Sequence, residues 1–130
     1  EVTASLEGEN TPENDEWWGK LDHDAIYASF VEALRSTGTE RWCRVLRERS
    51  ADAVRRIADA SVAVLHQDSN HSEAISCAEV EQWVPKLAHD GWWIADDTDW
   101  PTTQKAQARL VALGFRAVED HGGWKVYRRI

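Results

Sequence analysis

The spacing of two apolar runs constrains this chain more than any other feature. Ser61-Val62-Ala63-Val64-Leu65-His66-Gln67 ends at Asp68, and Gly91-Trp92-Trp93-Ile94-Ala95 ends at Asp96-Asp97. Short apolar runs of this length read as strands buried on both faces, the kind found in parallel sheets. Parallel neighbours need a crossover, and the stretch between the two runs is long enough for one helix. Open α/β sheets bind ligands at the carboxyl ends of such strands. If the two strands adjoin, Asp68, Asp96 and Asp97 converge on one rim, with backbones roughly 4.8 Å apart. Three carboxylates there repel unless a cation joins them, so the pattern predicts a divalent-metal site suited to magnesium. The competing role for these acids is to cap loops and helix N-termini.

The rest of the chain supplies the helices and edges of such a sheet. Asp22 can cap a helix whose apolar stripe is Ile26, Phe30 and Leu34, widened by Tyr27 and Val31, with Gly38 as its stop. Trp42 to Arg47 alternates and predicts a short strand. Ser50 then caps a helix to about Ala58, with Ala53, Val54 and Ile57 inward. Asn70 and Glu73 resemble a capping box opening a helix with Cys77, Val80, Val84 and Leu87 inside, and Pro85 ends or kinks it near Trp83. Pro101 fits a helix first turn, Ala106, Leu110 and Leu113 its inner stripe, and Gly114 its end. Phe115 to Glu119 and Trp124 to Arg129 pair around His121-Gly122-Gly123. The order β-α-β-α-β-α-β-β indicates an α/β domain with a mixed sheet over residues 22–130, preceded by an acidic lead-in loop over 1–21 that the Trp17-Trp18 pair pins onto the domain.

Composition narrows the partners. A formal charge of −8, from 23 acidic and 15 basic residues, leaves no basic surplus for nucleic acid or an anionic membrane. No apolar stretch approaches the ~20 residues that span a bilayer. Cys43 and Cys77 form no CxxC pair and read as free thiols of a cytoplasmic protein. Without methionine, and with Glu1 first, the chain reads as a fragment.

His71 follows Asp68 by one helical turn and is either a general base or an exposed loop histidine. His66, inside an apolar run, reads as a hydrogen-bonded core residue. His66, His71 and Cys77 do not match a common zinc spacing. Trp92, Trp93 and Trp100 flank the rim, either to stack on a ligand or to pack against helices.

Three stretches together resemble a known family: Leu65-His66-Gln67-Asp68-Ser69-Asn70-His71-Ser72-Glu73, Glu79-Val80-Glu81-Gln82-Trp83-Val84-Pro85-Lys86-Leu87, and Gly91-Trp92-Trp93-Ile94-Ala95-Asp96-Asp97-Thr98-Asp99-Trp100. The pattern is similar to that of class I S-adenosylmethionine-dependent methyltransferases related to macrocin O-methyltransferase. These share a strand ending in D-G-x-H-S, a helix ending in W-x-P-x-L, a glycine before the next strand, then D-D. Asn14-Asp15-Glu16-Trp17-Trp18-Gly19 and Val118-Glu119-Asp120-His121-Gly122-Gly123-Trp124-Lys125-Val126-Tyr127 also resemble one branch of the group. Ser69 departs from the family, which usually has glycine there.

The resemblance implies a Rossmann-like sheet, magnesium on Asp68, Asp96 and Asp97, and His71 beside the substrate hydroxyl, with Asp68 and His71 as the catalytic residues. It implies S-adenosylmethionine as methyl donor, yet the family's glycine-rich cofactor turn has no counterpart before residue 42, so cofactor-binding residues stay unassigned. The chain therefore reads as the C-terminal part of a magnesium-dependent O-methyltransferase acting on a small hydroxylated molecule. The alternative is a non-catalytic remnant that binds metal or oligomerises. In the resembling fold two strands lie between those matching Trp42–Arg47 and Ser61–Gln67. Their loss predicts either that Trp42–Arg47 slides in beside Ser61–Gln67 or that a homodimer covers the edge.

Overall fold

The structure, a computed structural model, describes Pro12, Glu16 and residues 18–130. Helix α1 spans His23–Ser36, α2 Ser50–Ala53, α3 Glu73–Trp83 and α4 Gln104–Ala112; strands are β1 Val62–Gln67, β2 Leu87–Ala95, β3 Phe115–Asp120 and β4 Lys125–Arg129. The sheet order is β1-β2-β4-β3. β1 and β2 run parallel, and β2–β4 and β4–β3 are antiparallel. This is the mixed α/β sheet that the two apolar runs predict.

The crossover between β1 and β2 is α3, closed by a 3₁₀ turn at Val84–Lys86 that Pro85 enforces. Its Val80 and Val84 pack with Leu87, Trp93 and Ala95 of β2 and with Ala106 and Leu110 of α4, and Leu65 and Cys77 border this core. Gly91 sits where the β1–β2 register shifts, between the Val62–Leu87 and Val64–Trp92 pairs. A Cβ there would lie 2.7 Å from Leu87 Cγ and 3.0 Å from the Val62 carbonyl oxygen. Only glycine lets the two backbones approach so closely.

All helices of this core lie on one face of the sheet. Alternation puts Trp93 and Ala95 on that face, while Val64, Trp92 and Arg128 share the other, with the Arg128 guanidinium 4.8 Å from the Trp92 ring centroid. Among the described residues, β1 has no partner on its outer edge.

Trp42 to Arg47 is not a strand. Glu40–Trp42 forms a 3₁₀ turn, and the residues after it join no ladder. Alternation makes a strand only where an edge and a face await it, and here neither does. Trp42 is 79% exposed, while Arg47 pairs with Asp24 and stacks 4.6 Å from the Tyr27 ring, holding the segment against α1 instead. The run therefore does not slide in beside β1.

α1 is capped by Asp22, whose carboxylate accepts from the Asp24 and Ala25 N–H groups, and Gly38 turns away from it at φ 68°. Its stripe is intact but uncovered, with Ile26 and Phe30 about half exposed. Two starts differ from expectation. Arg49, not Ser50, is the N-cap of α2, because the Ser50 hydroxyl accepts from Trp83 Nε1 at 2.8 Å. Ser72, not Asn70, precedes α3, and the Asn70 side chain accepts from the Ser72 N–H two residues on. The lead-in expected over 1–21, with Trp17, lies mostly outside the described residues.

Candidate functional site

The parallel register carries the candidate site. Gln67 pairs with Ala95, and the Asp96 N–H donates to the Gln67 carbonyl at 3.1 Å, so Asp68 and Asp96 leave the sheet side by side. Because side chains alternate, His66 and Asp68 emerge on one face of β1, and Asp96 meets them from β2. A carboxylate oxygen of each aspartate and a ring nitrogen of His66 all lie within 4.8 Å of one another. His66 is exposed, not the core residue that its apolar neighbours predict.

Asp97 turns the other way. Its backbone is left-handed, φ 48°, which swings its carboxylate toward His71, leaving Asp97 Oδ2 3.1 Å from His71 Nε2. His71 Nε2 also lies 4.0 Å from Asp68 Oδ1. His71 is buried, against the exposed-loop alternative, and sits 5.2 Å from the Trp100 ring at an interplanar angle of 45°. Neither of its ring nitrogens has a hydrogen-bond partner of good geometry. Asp68 thus stands between two groups: His66 and Asp96 on one side, His71 and Asp97 on the other. Burial pushes the Asp97 carboxyl above its ordinary value; His71 opposes the shift, and the charges of Asp96, Asp68 and Asp99 add to it.

The loops are held by bonds that sequence reading did not single out. The Thr98 N–H and hydroxyl donate to the Gly123 and Gly122 carbonyls at 2.8 and 2.9 Å. Gln107 donates to the Thr98 carbonyl and accepts from the Tyr127 hydroxyl. This network fixes the segment after β2 to α4 and the C-terminal hairpin, and with it Asp96 and Asp97. On the other strand, buried Glu79 of α3 accepts from the Gln67 amide at 3.2 Å and from the Ser69 hydroxyl, fixing the turn after Asp68. The glutamate on the inner side of α3 was the available signal, since an acid on an apolar stripe needs partners.

A cleft of about 160 Å³ opens beside the rim, lined by Leu65, His66, Gln67, Asp68, Ser69 and Trp83 among others. A second, of about 310 Å³, lies along the first turns of α3 and shares Ser50, Ser69 and Glu79 with it. The tryptophans divide: Trp93 is core, Trp92 lies on the open sheet face, and Trp100 covers His71.

A family model described as a methyltransferase domain matches residues 7–98. The chain belongs to this methyltransferase-domain family. The match covers β1, α3 and β2 whole and ends just past Asp97, so the candidate rim falls inside it. Among solved structures, a crystal structure of a Corynebacterium glutamicum protein is similar, with a TM-score of 0.59 at 19% identity over 74% of this chain. At that identity the likeness establishes the fold, a partial Rossmann-like one. The match covers 52% of that protein, so this chain spans about half of its length. No curated protein matches the chain. Among the described residues, no helix is long and apolar enough to cross a membrane.

Proposed function

We propose that this domain belongs to a cation-assisted, S-adenosylmethionine-dependent O-methyltransferase of the macrocin O-methyltransferase-related kind, acting on a small hydroxylated molecule. The observation that carries the reading is the convergence of Asp68, Asp96 and the buried His71 at the ends of two parallel strands within the family match. The donors fit a cation: Asp68 and Asp96 offer hard oxygens on a rigid base, of the kind that magnesium takes. When bound, the cation supplies positive charge that lowers the pKa of a substrate hydroxyl, and S-adenosylmethionine supplies the methyl group.

The chain's own residues do the rest. Asp68 and Asp96 would hold the cation at the rim. As the hydroxyl oxygen bonds to the methyl carbon and the sulfur–carbon bond breaks, His71 accepts the hydroxyl proton, and the Asp97 carboxylate, 3.1 Å from Nε2, stabilises the resulting imidazolium. Trp100 shields the ring from water. The cleft beside Asp68 admits a small molecule, and the net negative charge disfavours nucleic acid and anionic membranes as substrates. Free Cys43 and Cys77 fit a reducing cytoplasm.

A second reading, a non-catalytic module that dimerises, is favoured by one feature: the open β1 edge, with Val64 57% exposed. Calorimetric titration of the chain with S-adenosylmethionine, with and without magnesium, separates the two. We expect weak binding by these 130 residues, strengthened by the ion. Sedimentation runs alongside, and a clean dimer with no cofactor binding under either condition favours the module.

A further inference from the structure

We propose that His66, Asp68 and Asp96 form a mixed nitrogen–oxygen site that prefers a first-row transition-metal dication to magnesium. The inference rests on the cation site of the proposed function and names its ion. One imidazole and two carboxylates present donor atoms within 4.8 Å of one another. Donors about 2.0–2.2 Å from a shared ion lie roughly 3–4 Å apart, so small side-chain rotations complete the site. His66 and Asp68 are fixed by strand alternation, and Asp96 by the parallel register. The site is therefore built on the sheet rather than on a mobile loop.

Magnesium takes oxygen and keeps its waters, whereas a site with an imidazole suits first-row dications, with affinity rising from manganese through iron, cobalt and nickel to copper and falling at zinc. Three donors also leave positions open for water and a substrate oxygen. A second observation points at a ligand. His71 is 8% exposed, its ring nitrogens lack hydrogen bonds, and Nε2 lies 3.1 Å from Asp97 Oδ2 and 4.0 Å from Asp68 Oδ1. A water on an ion held by Asp68 would supply the missing partner.

Titration calorimetry of the chain with magnesium, manganese, cobalt and zinc chlorides tests this. Cobalt and zinc should bind about tenfold or more tighter than magnesium, because imidazole is a better ligand for them. His66→Gln, at an exposed position, should erase that preference and leave weak magnesium binding. Cobalt should shift the His66 ring signals in the NMR spectrum of the unmutated chain, and magnesium should leave them in place. Equal affinities, an unchanged preference in His66→Gln, or unmoved His66 signals would overturn the proposal while leaving a magnesium site possible. If no ion binds at all, the cation site itself falls with it.

Discussion

Trp92 and Trp93 are adjacent on one strand and live in different worlds. Trp93 faces the helices and is 0% exposed; Trp92 faces the other way, 36% exposed under the Arg128 guanidinium. The covered face joins α3, α4 and three strands into one core. On the opposite face Val126 is buried, while Val64 and Trp92 stay exposed. Stability is concentrated on the first face, while His66, Asp68 and Asp96 emerge at the end of the second. Chemistry at the rim can therefore change without disturbing the core that holds it.

The largest expected contrast is between the two indoles. Trp93→Ala should cost about 3–5 kcal/mol, a large share of the roughly 5–15 kcal/mol that holds a domain together. Trp92→Ala should cost about 1 kcal/mol, most of it the lost cation–π contact and partial burial. Urea unfolding of both variants reads the difference; similar losses would mean that the second face is covered too. Gly91→Ala comes next, at about 1–3 kcal/mol. Its Cβ meets backbone oxygens of Ala88 and Val62 at 3.0 Å, which cannot rotate away. A neutral result in the same assay would show that β1 and β2 slide freely at the bulge.

The smallest effect concerns Asp97. Its raised value means that the folded state binds its proton more tightly than the unfolded chain does. Its contribution is full below the ordinary carboxylate value and is lost as pH rises through the folded one. In ion-free buffer Asp97→Asn should therefore gain on the unmutated protein as pH rises from 3 to 7. Asparagine's tolerance of a left-handed backbone adds a pH-independent gain, so the slope with pH is the test. A flat difference would remove the electrostatic account.

The sequence showed the core well and the rim in part. β1, α3, β2, α4 and the hairpin were legible because their apolar periods match buried faces and Pro85, Gly114 and Gly122 punctuate them. Trp42–Arg47 misled because alternation records only that a strand could form, not that an edge exists to receive it. His66 misled in the opposite sense: apolar neighbours suggested burial, whereas counting by twos from Asp68 places it on the ligand face. Asp96 and Asp97 looked equivalent in sequence. One left-handed residue separates them, sending Asp97 to His71, and no local pattern announces that turn. The Thr98–Gln107–Tyr127 network was invisible because its members join only through the tertiary fold.

The central claim is that Asp68 and Asp96 hold a divalent cation on the open side of a core that does not depend on it. The melting temperature measured with and without divalent ion, for the unmutated chain and for Asp68→Asn and Asp96→Asn, tests it most directly. Binding to the folded state alone raises the melting temperature. The account predicts a rise in the unmutated chain, no rise in either variant, and variants that stay folded without ion. Equal melting of the unmutated chain with and without magnesium, manganese or cobalt would contradict it.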